Sequence, residues 1–98
     1  MRVYWTDRAY DHLLQIRGHL SLTSETYAER VLDSLISRSE QLEAFPRSGR
    51  RVPEYDRDDV RELIEQPYRL IYRIGEARLD VLAVVHGRRP LPPIVEDL

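Results

Sequence analysis

The sequence predicts a small α+β fold: a short N-terminal strand, an antiparallel helix hairpin, then a three-stranded antiparallel meander whose sheet packs on the helices. Three observations carry this expectation. Apolar residues recur at helical spacing from Ala9 to Leu20 and again from Ala28 to Leu42. Strand-like segments follow one another at Val60–Glu65, Tyr68–Ile74 and Leu79–His86. Between the two halves runs a charge-dense segment, residues 46–59, that contains two prolines and a glycine.

Each element has a local reason. Val3 and Trp5 alternate with Arg2 and Tyr4, as in a short strand. Thr6 or Asp7 can cap a helix whose stripe is Ala9, Leu13, Ile16 and Leu20, and which ends near Gly18–Leu20. The polar turn Ser21–Ser24 offers new caps. A longer helix then runs from about Glu25 to Ala44, with Ala28, Val31, Leu32, Leu35, Ser39 and Leu42 on one side. Phe45–Pro46 ends it, because the residue before proline avoids the helical region. Residues 46–59 read as a loop long enough to be more than a connector. Gln66–Pro67 and Gly75–Arg78 supply the turns of the meander. Residues 90–98, rich in proline, read as a packed arm or a mobile tail.

Ninety-eight residues are expected to form one domain, 1–98, with a modest core. With 42% apolar and 33% charged residues, the composition is that of a folded globule. No apolar run approaches the ~20 residues of a membrane span. The opening residues lack a signal-type stretch, so the expected location is cytoplasmic. Cysteine is absent, which removes disulfides and thiolate chemistry. Net charge is −2, unlike a general nucleic-acid binder. All 15 basic residues are arginine. Genomic base composition explains that, and so does recognition of phosphate or carboxylate by guanidinium forks.

Alternation in YRLIYRI puts Tyr68, Leu70, Tyr72 and Ile74 on one face and Arg69, Ile71 and Arg73 on the other. Guanidinium groups rarely enter a core unpaired, so the second face is expected to be a positively charged working surface. Alternation continued along the last strand groups Leu79, Val81, Ala83 and Val85, with Leu82 and Val84 opposite. A strand apolar on both faces needs cover on both. A partner chain is the simplest cover, and the tail from Leu91 to Leu98 is the alternative. Arg69 and Arg73 each admit two readings: a contact on that surface, or a cross-strand ion pair, for Arg69 with Glu62 or Glu65. Tyr72 could stack on a base, but its face assigns it to the core. His86 is a possible general base, or a hydrogen-bonded residue ending a buried strand. Gly87 is expected to let the chain turn and aim Arg88 and Arg89 toward the concave face. The basic Arg47, Arg50 and Arg51 are followed at once by Glu54, Asp56, Asp58 and Asp59, so internal neutralisation is expected. His12, His19 and His86 are too scattered to argue a metal site. No cofactor motif is present.

The order of elements and the phrases EQLEAFPRSGRRVPE, YRLIYRI and LDVLAVVHGRR resemble the ParE/RelE superfamily of bacterial toxins over nearly the whole chain. Such toxins belong to type II toxin–antitoxin pairs. The resemblance implies a RelE/ParE-like fold and a cognate antitoxin whose acidic, amphipathic C-terminal segment lies on the concave face. It leaves two mechanisms open. RelE-like members cut messenger RNA on the ribosome, and ParE-like members act on DNA gyrase. By the resemblance, Arg69 matches an arginine that holds the scissile phosphate, so Arg69, His86 and Arg88 would be the catalytic set of a ribonuclease. His-Gly at the strand end is common in the ParE-like branch. Lysine is absent, and no Glu–His–Arg set like that of the best-known nucleases is evident. The expected function is thus gyrase inhibition, with Arg69, Arg73, Arg88 and Arg89 contacting antitoxin or target. The alternatives are a ribosome-dependent endoribonuclease and a non-toxic member that only binds antitoxin.

Overall fold

The computed structural model describes residues 1–91 and Pro93. The chain forms β1 (Arg2–Trp5), α1 (Asp7–Ser21), α2 (Glu25–Glu40), β2 (Arg50–Arg51), β3 (Val60–Glu65), β4 (Tyr68–Ile74) and β5 (Arg78–His86). One mixed sheet orders them β1-β5-β4-β3-β2. The expected meander is β3-β4-β5, antiparallel throughout. Alternation could not show that β1 lies parallel to β5, with Val3 beside Leu79 and Trp5 beside Val81. Nor could it show β2, two residues inside the expected loop.

The helices begin where the caps predicted. Thr6 Oγ1 accepts from the Ala9 amide at 3.2 Å and donates to the Val81 carbonyl at 2.8 Å, so one hydroxyl caps α1 and fixes it to β5. Ser24 Oγ accepts from the Tyr27 amide at 3.1 Å and starts α2. The second helix is shorter than expected: it gives way at Gln41–Glu43 to a single 3₁₀ turn before Pro46. The polar member of its stripe, Ser39, is buried and satisfied. It donates to the Ile36 carbonyl at 2.6 Å and accepts from the Trp5 indole at 3.3 Å.

The helix side of the sheet carries the main core: Ala9, Leu13, Leu35 and Leu42 from the helical half against Leu63, Leu70, Tyr72, Leu79, Val81 and Val84. The opposite face carries a second apolar cluster of Val52, Val60, Ile71, Leu82 and Ala83. Two expectations are corrected here. The ladder between β4 and β5 slips: Ile71 faces Ala83 but Tyr72 faces Val81, which leaves Leu82 as the extra residue of a bulge. Beyond it the faces exchange. Ala83 joins Leu82 on the second face, and Val84 turns to the helices. The cover of the second face is also different, because the chain's own segment between β2 and β3 supplies Val52 and Tyr55, with Leu91 beside them. Of the expected tail cover, Leu91 packs on this cluster and Pro93 is exposed; residues 92 and 94–98 lie outside the described residues.

Tyr72 pins that covering segment. Its buried hydroxyl donates to the Pro46 carbonyl at 2.8 Å and accepts from the Gly49 amide at 3.0 Å. Gly49 is required by closeness: a Cβ there would lie 2.6 Å from both the Glu62 carbonyl oxygen and the Tyr72 hydroxyl. The segment is therefore pressed against β3 at the point where it starts across the sheet.

Candidate functional site

The second face divides into an apolar half and a charged half. The charged half is a groove of about 710 Å³ at the end of the sheet where β5 stops and the β3–β4 turn begins, lined by Arg50, Glu54, Ile64, Arg69, His86 and Arg88 among others. The alternation that points Ile71 into the second cluster points Arg69 into this groove, next to the buried Glu62 on β3.

A chain of four charges crosses the groove floor. Arg50 Nε donates to Glu62 Oε2 at 2.9 Å, and Arg69 Nε donates to Glu62 Oε1. The two terminal nitrogens of Arg69 then donate to the two oxygens of Glu54 at 2.8 and 2.9 Å, a fork-to-fork pair. The Glu62 carboxylate is fully buried, the Arg69 side chain is 11% exposed, and that of Glu54 is 45% exposed. The two carboxylates raise the pKa of Arg69, and the hydrogen bonds from Arg69 hold Glu54 below the usual carboxylate range. Arg69 thus takes the cross-strand pairing with Glu62. Its second carboxylate comes from the covering segment, which strand alternation cannot predict. Internal neutralisation of that segment also occurs: Arg47 pairs with Asp58 at 2.8 Å, and Arg51 with Asp56 at 3.2 Å.

The other candidates are not gathered into one cluster. Arg88 is exposed and lines the same groove as Arg69. Arg89, also exposed, lines a second cavity of about 300 Å³ between α1 and the end of β5. Arg73 is at the far end of β4, 3.5 Å from Asp59, and lines neither cavity. Gly87 serves by close approach and not by a left-handed turn. Its amide donates to the Pro67 carbonyl at 2.8 Å, and a Cβ would sit 3.3 Å from that oxygen. This contact ties the end of β5 to the β3–β4 turn and sets where Arg88 begins.

His86 stands between the two cavities, its ring edge-on to Tyr68 with centroids 5.9 Å apart. Its Nδ1 accepts from the Arg88 amide at 3.2 Å, so one ring nitrogen is committed to shaping the turn. The three histidines, far apart in sequence, all line the second cavity. His12 Nδ1 accepts from the Val84 amide at 3.1 Å, and burial, with a smaller contribution from Arg8, lowers its pKa. Among the described residues no group of three His, Asp or Glu side chains is placed to hold a metal ion. No helix among them is long and apolar enough to cross a membrane. The groove thus presents guanidinium groups, the fork of Arg69 already closed on a planar carboxylate and Arg88 exposed beside it.

The fold is ParE-like. It matches a solved structure described as the chromosomal ParDE TA system from P. aeruginosa with a TM-score of 0.74 at 21% identity, covering 88% of this chain and 95% of that one. The sequence model of the family described as ParE toxin of type II toxin-antitoxin system, parDE, matches residues 3–91, and the chain belongs to that family. No curated protein matches the chain.

Proposed function

We propose that this protein is a cytoplasmic ParE-type toxin that inhibits DNA gyrase by binding it and is neutralised by a cognate antitoxin. The observation that carries the reading is the state of the groove's guanidinium groups in a chain of this family. Arg50 and Arg69 are engaged by Glu62 and Glu54, while Arg88 is exposed at the same groove without an ion pair among the described residues. Such a set suits recognition of a partner's acidic side chains better than turnover of a phosphodiester, which requires free acid–base groups converging on one phosphate. Arg89 extends the positive end toward the second cavity, and Arg73, set apart beside Asp59, is an outlying contact of the same sheet. Apolar side chains on the helix hairpin, among them Tyr10, Leu14 and Tyr27, are exposed and offer a partner further surface.

A second reading keeps one observation in its favour: Arg69, His86 and Arg88 do line a single groove. In a RelE-like ribonuclease they would hold and cleave a phosphodiester on the ribosome. Two assays on one preparation and an expression test in bacteria decide. Gyrase supercoiling blocked with transcript intact supports the first reading. Codon-phased cleavage of a ribosome-programmed transcript supports the second, and harmless overexpression supports a member that only binds antitoxin.

A further inference from the structure

Glu54 occupies the groove in a way the sheet does not require. Glu62 is built into β3, is buried, and holds Arg69 through Nε, a contact separate from the two that Glu54 makes. The Glu54 carboxylate arrives from the turn at residues 53–55, remains 45% exposed, and takes only the two terminal nitrogens of the fork. Among the described residues it has no other cation at hydrogen-bonding distance. Arg88, exposed at the same groove, is not engaged by it.

Resting on the reading of this groove as a partner surface, we infer that Glu54 is a resident stand-in for an acidic side chain of a protein partner, which binds by taking its place on Arg69. The resident defines the ligand class, because a planar carboxylate already fits the fork with two bonds of ordinary length. Exchange of one carboxylate for another conserves that pair, so the net gain comes from what Glu54 lacks. The incoming group adds contact with Arg88 and with the apolar wall of Pro53, Ile64 and Pro67. A released Glu54 enters water from a position already half-exposed. A nucleic-acid backbone fits less well, since Glu62 stays in the groove floor and the chain carries a net charge of −2. The resident carboxylate also tunes affinity, because a partner meets a free fork only in the fraction of molecules where Glu54 has swung away.

The test titrates wild type, Glu54→Gln and Arg88→Ala with a synthetic peptide of repeated Leu-Glu-Glu, and separately with an oligothymidylate of equal length. Binding is read from affinity and from the arginine Nε–Hε NMR resonances. The peptide is expected to move the Arg69 resonance of the wild type, to bind Glu54→Gln at least ~3-fold tighter, and to bind Arg88→Ala more weakly. Should Glu54→Gln fold poorly, Glu54→Asp, which keeps the charge but shortens the reach, is expected to tighten binding in the same direction. Equal affinities for wild type and a folded Glu54 variant would overturn the exchange while leaving the groove as a binding surface. A peptide that moves neither the Arg69 nor the Arg88 resonance would remove both the exchange and the groove reading. Tighter binding of the oligothymidylate would overturn the assignment to a protein partner.

Discussion

The Tyr72 hydroxyl, at the centre of β4, is bonded to the Gly49 amide at 3.0 Å, and through this contact the sheet holds the segment that carries Arg50 and Glu54. The same hydroxyl donates to Pro46. Tyr72→Phe keeps the buried ring but leaves a buried amide and a carbonyl without their partner. A loss of about 1–3 kcal/mol is expected in denaturant unfolding. Unchanged stability would show that the ladder of β2 on β3, the Arg50 and Glu54 ion pairs and the packing of Val52 hold the segment without this hydroxyl.

Glu62 is the keystone of the charge chain. Glu62→Ala leaves Arg69 short of one carboxylate in a buried site and frees the more exposed Arg50. Because Arg69 retains Glu54, the expected cost is near the low end for breaking a buried pair, about 3 kcal/mol in denaturant unfolding. Glu54→Ala, at a half-exposed position, is expected to cost less than about 1 kcal/mol. The reverse order would mean that the groove is organised from the covering segment and not from β3.

Stability is expected to fall on mild acidification because of His12. Its folded-state pKa lies below the ordinary 6.5, so the unfolded chain binds the proton first. The stability from its neutral form is complete above 6.5 and declines as pH falls from there toward the lowered folded value. Protonated Nδ1 can no longer accept from the Val84 amide. His12→Asn keeps an acceptor there without a titration. A melting temperature that drops between pH 7 and about 5.5 in wild type but stays flat in His12→Asn is the expected result. Parallel profiles would remove His12 as the cause. Below pH 4 both proteins should weaken, since Glu54 and Asp59 also have lowered values, and their contribution is lost as pH falls through them.

Arg88→Ala with Arg89→Ala removes two exposed side chains at the end of β5. The melting temperature is expected to stay within ~2 °C of wild type, while antitoxin binding or toxicity drops. Collapse of the fold in the double variant would instead make the pair structural.

Local chemistry explains what could be read from the sequence. Thr6 or Asp7 and the turn Ser21–Ser24 marked the helix starts, Phe45–Pro46 set only an outer limit to a helix that ends at Glu40, and alternation in YRLIYRI placed Leu70 and Tyr72 against the helices and Arg69 away from them. What was not legible depends on pairing between distant residues. The bulge at Leu82 appears only when β5 is laid against β4, and it reverses the face of every residue from Ala83 to Val85. The cover of the second face by Val52 and Tyr55, and the Glu54–Arg69 fork, depend on how residues 46–59 cross the sheet. In sequence that segment shows only prolines and mixed charge. Its one informative signal was acidic residues close behind arginines, which gave the internal neutralisation but not the partner of Arg69. The nearness of His12 and His19 to His86 likewise follows from packing α1 on β5.

The measurement that tests the central claim most directly is supercoiling by purified gyrase with and without this protein. Dose-dependent inhibition, relieved by the antitoxin and weakened by Arg88→Ala with Arg89→Ala, is the predicted result. Unimpaired supercoiling by folded protein, with cleavage of a ribosome-programmed transcript in the parallel assay, would contradict it and return Arg69, His86 and Arg88 to a catalytic role.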